Sequence, residues 1–220
     1  MLLVVASRLE DQGHTFIEHC RRSGLEAALI TADDLSRPGW RLRLGHPDES
    51  RAALSSGVIR GCDVTGVLNL LSWITVHDLP HIAPDDRDYV ANEMTAFLLA
   101  WLSQLACPQL DRPTPSSLCG CGRWPGEWAR LAGSVGAGFD ANWPGEWREL
   151  TVLERCVIAG AGEETEVAAA AVRLATAGRR TLVSFRFACG TPRPTLIGAL
   201  SRPSVASAEV AEALVERFRR

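Results

Sequence analysis

The sequence contains no lysine: every one of the 23 basic residues among its 220 is arginine. A Schiff-base lysine, a phosphate-clamping lysine and a lysine general base are therefore excluded. No apolar run approaches the roughly 18 residues of a membrane-spanning helix. The start, "MLLVVASRLED", has no basic stretch ahead of its short apolar run, so it reads as a buried strand and not as a signal peptide. A cytoplasmic location with reduced thiols is expected for the seven cysteines. Net charge is only −3, with no basic stripe interleaved with aromatics, and this argues against nucleic acid. No glycine-rich phosphate loop follows the first strand, so a dinucleotide is not expected. No Ser/His/Asp or Cys/His catalytic arrangement stands out.

What is present is an α/β pattern. "LLVVA" (2–6), "EAALIT" (26–31) and "GVLNLL" (66–71) read as buried strands, with a helix carrying Leu9, Gly13, Phe16 and Cys20 between the first two. That spacing is a βαβ unit within an open sheet. "WRLRL" (40–44) alternates as an exposed strand would. Val90, Met94, Phe97, Trp101 and Leu105 mark one wide apolar face of a long helix that Pro108 stops. After residue 147, "ELTVLERCVIAG" (149–160) reads as a strand and 163–178 as a helix. Two further strands and a closing helix with Val210, Leu214 and Phe218 inward complete the chain.

Residues 85–133, "DDRDYVANEMTAFLLAWLSQLACPQLDRPTPSSLCGCGRWPGEWARLAG", resemble the segment that precedes the nucleotide site in ATP-grasp proteins of the peptide- and small-molecule-ligase type. The matching positions are Asp86, Tyr89, Val90 and Glu93, then Ala96, Phe97, Leu98, Trp101 and Leu102. Cys107, Pro108, Leu110, Arg112 and Pro113 follow, with Leu118 and Gly120 after them. The resemblance implies a pre-ATP-grasp-like α/β domain over 1–135. Residues 136–220 would be a small α+β remnant of an ATP-grasp fold, free to pack as one unit with the first. It also implies two phosphate-binding lysines and, on the last strands, Mg²⁺-binding carboxylates with an Asn. The lysines are missing, and Ser184, Arg186 and Ser201 stand where the metal ligands belong. ATP and Mg²⁺ are accordingly not expected, and the chain leans away from being an enzyme.

Three groups of residues are candidates for a site. Ser7, Arg8, Asn69, Asp111 and Arg112 fall at strand ends, where open α/β sheets bind ligands; turn and cap roles explain the same residues. His77, His81 and Asp85, with the Cys119/Cys121 pair, offer metal-ligand chemistry. Pro80 and Pro84 preclude a continuous helix through the histidines, and a solvated loop and a tight glycine turn are the alternatives. Trp-Pro-Gly-Glu-Trp occurs twice, at 124–128 and 143–147, so Trp124, Trp128, Trp143 and Trp147 are candidate anchors at a partner interface. The first copy leads into a helix and the second into a strand.

The expected function is that of a non-catalytic ATP-grasp-like accessory protein binding a partner enzyme or peptide in a biosynthetic pathway. A metal- or cysteine-dependent enzyme with its site at the strand ends is the alternative, and a reduced ATP-grasp ligase a further one. Self-association is left open.

Overall fold

A computed structural model describes residues 1–160 and 165–220. The chain forms two compact units, Met1–Gly120 with Ala211–Arg220, and Cys121–Val210. No helix among the described residues is long and apolar enough to cross a membrane.

In the first unit, β1 (Leu2–Val5) is buried on both faces, as its unbroken apolar run requires. Helix α1 (Asp11–Arg22) buries Gly13, Phe16 and Cys20. Gly13 is there for contact: a Cβ at this position would lie 2.7 Å from that of Ala6. Leu9, expected on the same face, lies in the turn before the helix and is exposed. Strand β2 (Ala27–Ile30) and the single-turn helix α2 (Ala32–Leu35) follow. The hairpin β3 (Arg51–Leu54) and β4 (Gly57–Arg60) comes next, then β5 (Gly66–Asn69). The long helix α3 (Arg87–Ser103) leads to the short β6 (Gln109–Leu110). Strands β2-β1-β5-β6 form one parallel sheet. Leu98, Trp101 and Leu102 of α3 are buried in the same core as Leu3, Val5 and Val67, with Met94 and Phe97 packed at its margin.

The exposed strand expected at 40–44 is absent; only an isolated bridge joins Arg41 to Arg51. Trp40 pins this segment inward. Its indole donates to the Asp34 carbonyl at 2.8 Å and meets Phe97 and Trp101 edge-on at 5.7 and 5.5 Å.

In the second unit, α4 (Pro125–Ser134) and β7 (Gly138–Phe139) precede the hairpin β8 (Trp147–Leu153) and β9 (Cys156–Ala159). The single strand expected over 149–160 is thus two strands, turned at Glu154–Arg155. Helix α5 (Thr165–Ala177) matches the expected helix over its described part; positions 163 and 164 lie outside the described residues. Strands β10 (Leu182–Ala188) and β11 (Thr195–Leu200) and helix α6 (Ala208–Arg219) complete the chain. The sheet order is β7-β11-β10-β8-β9. Val183, Phe185 and Phe187 of β10 pack with Trp128 and Leu131 of α4 and with Ala170 and Leu174 of α5.

The units divide at Gly120/Cys121, ahead of the boundary read from the sequence at 135. Trp128, Leu131 and Ala132 explain this: the small helix buries its apolar face in the second core. The last ten residues return to the first unit, where the Phe218 ring occupies the space a Cβ on Gly66 would need, 2.6 Å away.

Candidate functional site

The carboxyl end of the parallel sheet gathers three of the expected crevice residues. Ser7 leaves β1 buried and donates through Oγ to Asp78 Oδ1 at 2.5 Å. The other Asp78 oxygen accepts from the Thr75 amide at 2.9 Å and hydroxyl at 2.7 Å, capping a single 3₁₀ turn. Asn69, at the end of β5, donates through Nδ2 to the Asp111 carbonyl at 2.9 Å. Its Oδ1 is buried without a hydrogen-bond partner among the described residues. Arg8 and Arg112 are exposed at the same end of the chain segments. The hydrogen bonds here chiefly fix loops to strand ends, so turn and cap roles account for Ser7 and Asp78.

The candidate metal ligands are not assembled. Among the described residues no group of three or more His, Cys, Asp and Glu is placed to hold an ion. His77, His81 and Asp85 are all exposed. His81 instead faces Asp33, 3.5 Å from Nδ1, and Ser36, 2.8 Å from Nε2. Cys119 is buried with its Sγ 3.3 Å from the hydroxyls of both Ser72 and Ser117, whereas Cys121 is half-buried. All seven cysteines are free.

In the second unit, β8 and β10 pair antiparallel, so residues opposite one another share a face. Val183, Phe185 and Phe187 take the helix side. Ser184, Arg186 and Ala188 take the other, against Thr151, Glu149 and Trp147. The Thr151 and Ser184 hydroxyls are buried 2.7 Å apart. Arg186 Nε donates to Glu149 at 3.1 Å, and its guanidinium lies 4.6 Å from the centre of the Trp147 ring. Beyond β11, the Ser201 carbonyl accepts from Arg180 at 2.8 Å.

These are the positions where the resemblance places metal-binding carboxylates. The donor set does not fit a divalent cation. Among the described residues of these strands the acid on this face is Glu149, which is engaged by a guanidinium; a fixed positive charge repels Mg²⁺, which needs several oxygen ligands in near-octahedral array. The Thr151–Ser184 pair and the Glu149–Arg186–Trp147 row escape sequence reading because cross-strand register is not written in the sequence. Alternation in "WRELTVL" and "LVSFRFA" is the signal that could have exposed them.

The two Trp-Pro-Gly-Glu-Trp copies serve different structures. In the first, Glu127 accepts from the Trp124 amide at 3.0 Å and closes the start of α4. Trp128 is buried edge-on against Phe185, with ring centres 5.2 Å apart. In the second, the Trp143 indole donates to the Glu146 carbonyl at 2.9 Å, closing a turn that hands Trp147 to β8. Trp124, 80% exposed, and Trp147, 49% exposed, are the members of the set that stand at the surface.

No family model matches the sequence, and neither does any curated protein. Solved structures do. The macrocyclase MdnC of Microcystis aeruginosa MRC, bound with precursor peptide MdnA, aligns over 100% of this chain and 99% of its own. Its TM-score is 0.76 at 9% identity. The ATP-grasp ligase PsnB, complexed with minimal precursor, Mg and ADP, covers 100% and 98% with a TM-score of 0.61 at 13% identity. A RimK domain ATP-grasp protein of Sphaerobacter thermophilus DSM 20745 covers 100% and 99%, with a TM-score of 0.54 at 14% identity. The chain has an ATP-grasp-like fold.

Proposed function

We propose that this chain is a non-catalytic ATP-grasp-like accessory protein that binds a peptide or a partner enzyme in a cytoplasmic biosynthetic pathway. One observation carries the reading. The strand face that should bear Mg²⁺-binding carboxylates bears instead a hydroxyl pair, Thr151–Ser184, and an arginine, Arg186, locked to Glu149. The sequence also has no lysine for the nucleotide phosphates. Loss of the catalytic groups from a fold that persists leaves binding as the property to be kept, since fold and chemistry are separable. A peptide partner is supported by the neighbours: MdnC is bound with its precursor peptide and PsnB with a minimal precursor. The exposed Trp124 and Trp147 suit an interface, where aromatic anchors supply much of the binding energy.

Titration of the purified protein with ATP and Mg²⁺ to millimolar concentration is expected to give no binding heat, and incubation no phosphate release. Affinity capture from the native organism is expected to recover a peptide or enzyme of one pathway. ATP-dependent phosphate release that persists in the Arg186→Ala variant would identify a reduced ligase and overturn the reading. Size-exclusion chromatography of the same preparation reports the oligomeric state.

A further inference from the structure

Two turns of the second unit meet at one groove, and each holds a non-glycine residue in left-handed backbone. Glu154, the first residue of the two-residue turn between β8 and β9, has φ 58°. Arg179, just past α5, has φ 53°. Glycine or asparagine relieves such positions, in hairpin turns and at helix ends alike. The turns are tied together: the Glu154 amide donates to the Thr181 carbonyl at 2.6 Å. Between them lies an open groove of about 360 Å³ whose charged lining is Arg155, Arg179, Arg180 and Glu154.

The three arginines differ in use. Arg180 is buried and donates to the carbonyls of Cys121, Leu182 and Ser201 at 3.0, 3.3 and 2.8 Å, so its charge is fixed in the groove wall. Arg155 and Arg179 are exposed, and among the described residues neither makes an ion pair or a side-chain hydrogen bond. One of these free guanidinium groups is held at a backbone position that disfavours it, and the other directly follows such a position. Strain of this kind persists where the surrounding structure holds it and clusters at binding sites, which singles out this groove.

We propose that this groove docks acidic side chains of an extended peptide segment, Arg155 and Arg179 each taking a carboxylate in bidentate fashion. The proposal rests on the peptide- or partner-binding reading above and names where that partner is held. Carboxylates fit better than a phosphate group. The groove lies at the end of α5 where backbone N–H groups turn inward: Gly178, Arg179 and Arg180 donate to Leu174, Thr176 and Ala175 at 2.8, 3.1 and 2.9 Å. No fan of amides of the kind that cradles phosphate is therefore presented. Planar guanidinium forks match single carboxylates spaced along a chain. Glu154 in the lining also favours singly charged groups, one per arginine, over a concentrated double charge.

The test uses the full chain and fluorescein-labelled hexaglutamate, read by fluorescence anisotropy at low salt. The wild type is expected to bind it, with affinity falling as salt is added. The double variant R155A/R179G is expected to bind at least tenfold more weakly. The single variant Arg179→Gly is expected to melt at a higher temperature than the wild type while binding less, which separates loss of binding from unfolding. Equal binding by wild type and double variant overturns the proposal, and so does inorganic phosphate displacing the probe as effectively as unlabelled hexaglutamate. If R155A/R179G still captures the native partner and still binds hexaglutamate, this site is wrong and the accessory-protein reading stands. If no partner is captured by either protein while ATP is hydrolysed, that reading fails on its own.

Discussion

At the scale of single residues, the row Glu149–Arg186–Trp147 is informative because it stabilises so little. An ion pair with both side chains partly solvated contributes at most about 1 kcal/mol, and a half-exposed cation–π contact adds a similar amount. Its importance is electrostatic sign: an arginine fixed over this strand face, already paired with Glu149, makes it a poor place for a metal ion. Cys20 is a second single-residue case. Burial on the inner face of α1 pushes its thiol up to about 11, only partly offset by a backbone hydrogen bond. The neutral thiol is thus favoured in the fold. Below the unfolded value near 8.5 this has no consequence for stability; as pH rises from there towards 11 the unfolded chain ionises first and the fold is weakened. Iodoacetamide at pH 8 is expected to label the exposed Cys62 and Cys156 rapidly and to spare Cys20 in native protein, as read by mass spectrometry. Rapid native labelling of Cys20 would contradict its burial.

Among the elements, α4 shows how a short helix earns its place through one side chain. Pro125 pre-sets its first turn and Glu127 closes it, but the stabilisation comes from Trp128 against Phe185 and the bare backbone of Gly178, where any Cβ would strike the indole at 2.7 Å. Trp128→Ala is expected to cost about 3–5 kcal/mol, measured by urea unfolding; a loss under 1 kcal/mol would mean the helix is held otherwise. Such elements were unequally legible in advance. Strand β1, helix α1, strand β5 and helix α3 follow from apolar runs and 3–4 spacing, and with them the strand-end positions of Ser7, Asn69 and Asp111, because strand ends can be counted. The β8–β9 hairpin was not, since Glu154-Arg155 lacks the glycine or asparagine that announces a two-residue turn. The β3–β4 hairpin hides behind "RAAL", whose alanines and leucine carry no strand preference. The Thr151–Ser184 pair depends on register, which only the folded sheet sets. The repeated Trp-Pro-Gly-Glu-Trp was plain in the sequence, but its two settings are decided by what each copy packs against.

For the molecule as a whole, the two cores are built differently from the chain: the second from one continuous stretch, the first from its beginning and its last ten residues. The end segment is fastened at Gly66 by Phe218 and at the Ser23 carbonyl by Arg219. Phe218→Ala removes a half-buried ring from the first core and is expected to cost about 1–3 kcal/mol. Hydrogen exchange would place the loss at β1 and β5, and unchanged protection there would count against the packing. This connectivity has a consequence for biosynthesis. During translation the parallel sheet emerges first, yet the ring that fills the space over Gly66 is among the later residues to be made. The Phe218–Gly66 contact can therefore close only after every strand of the sheet has been made.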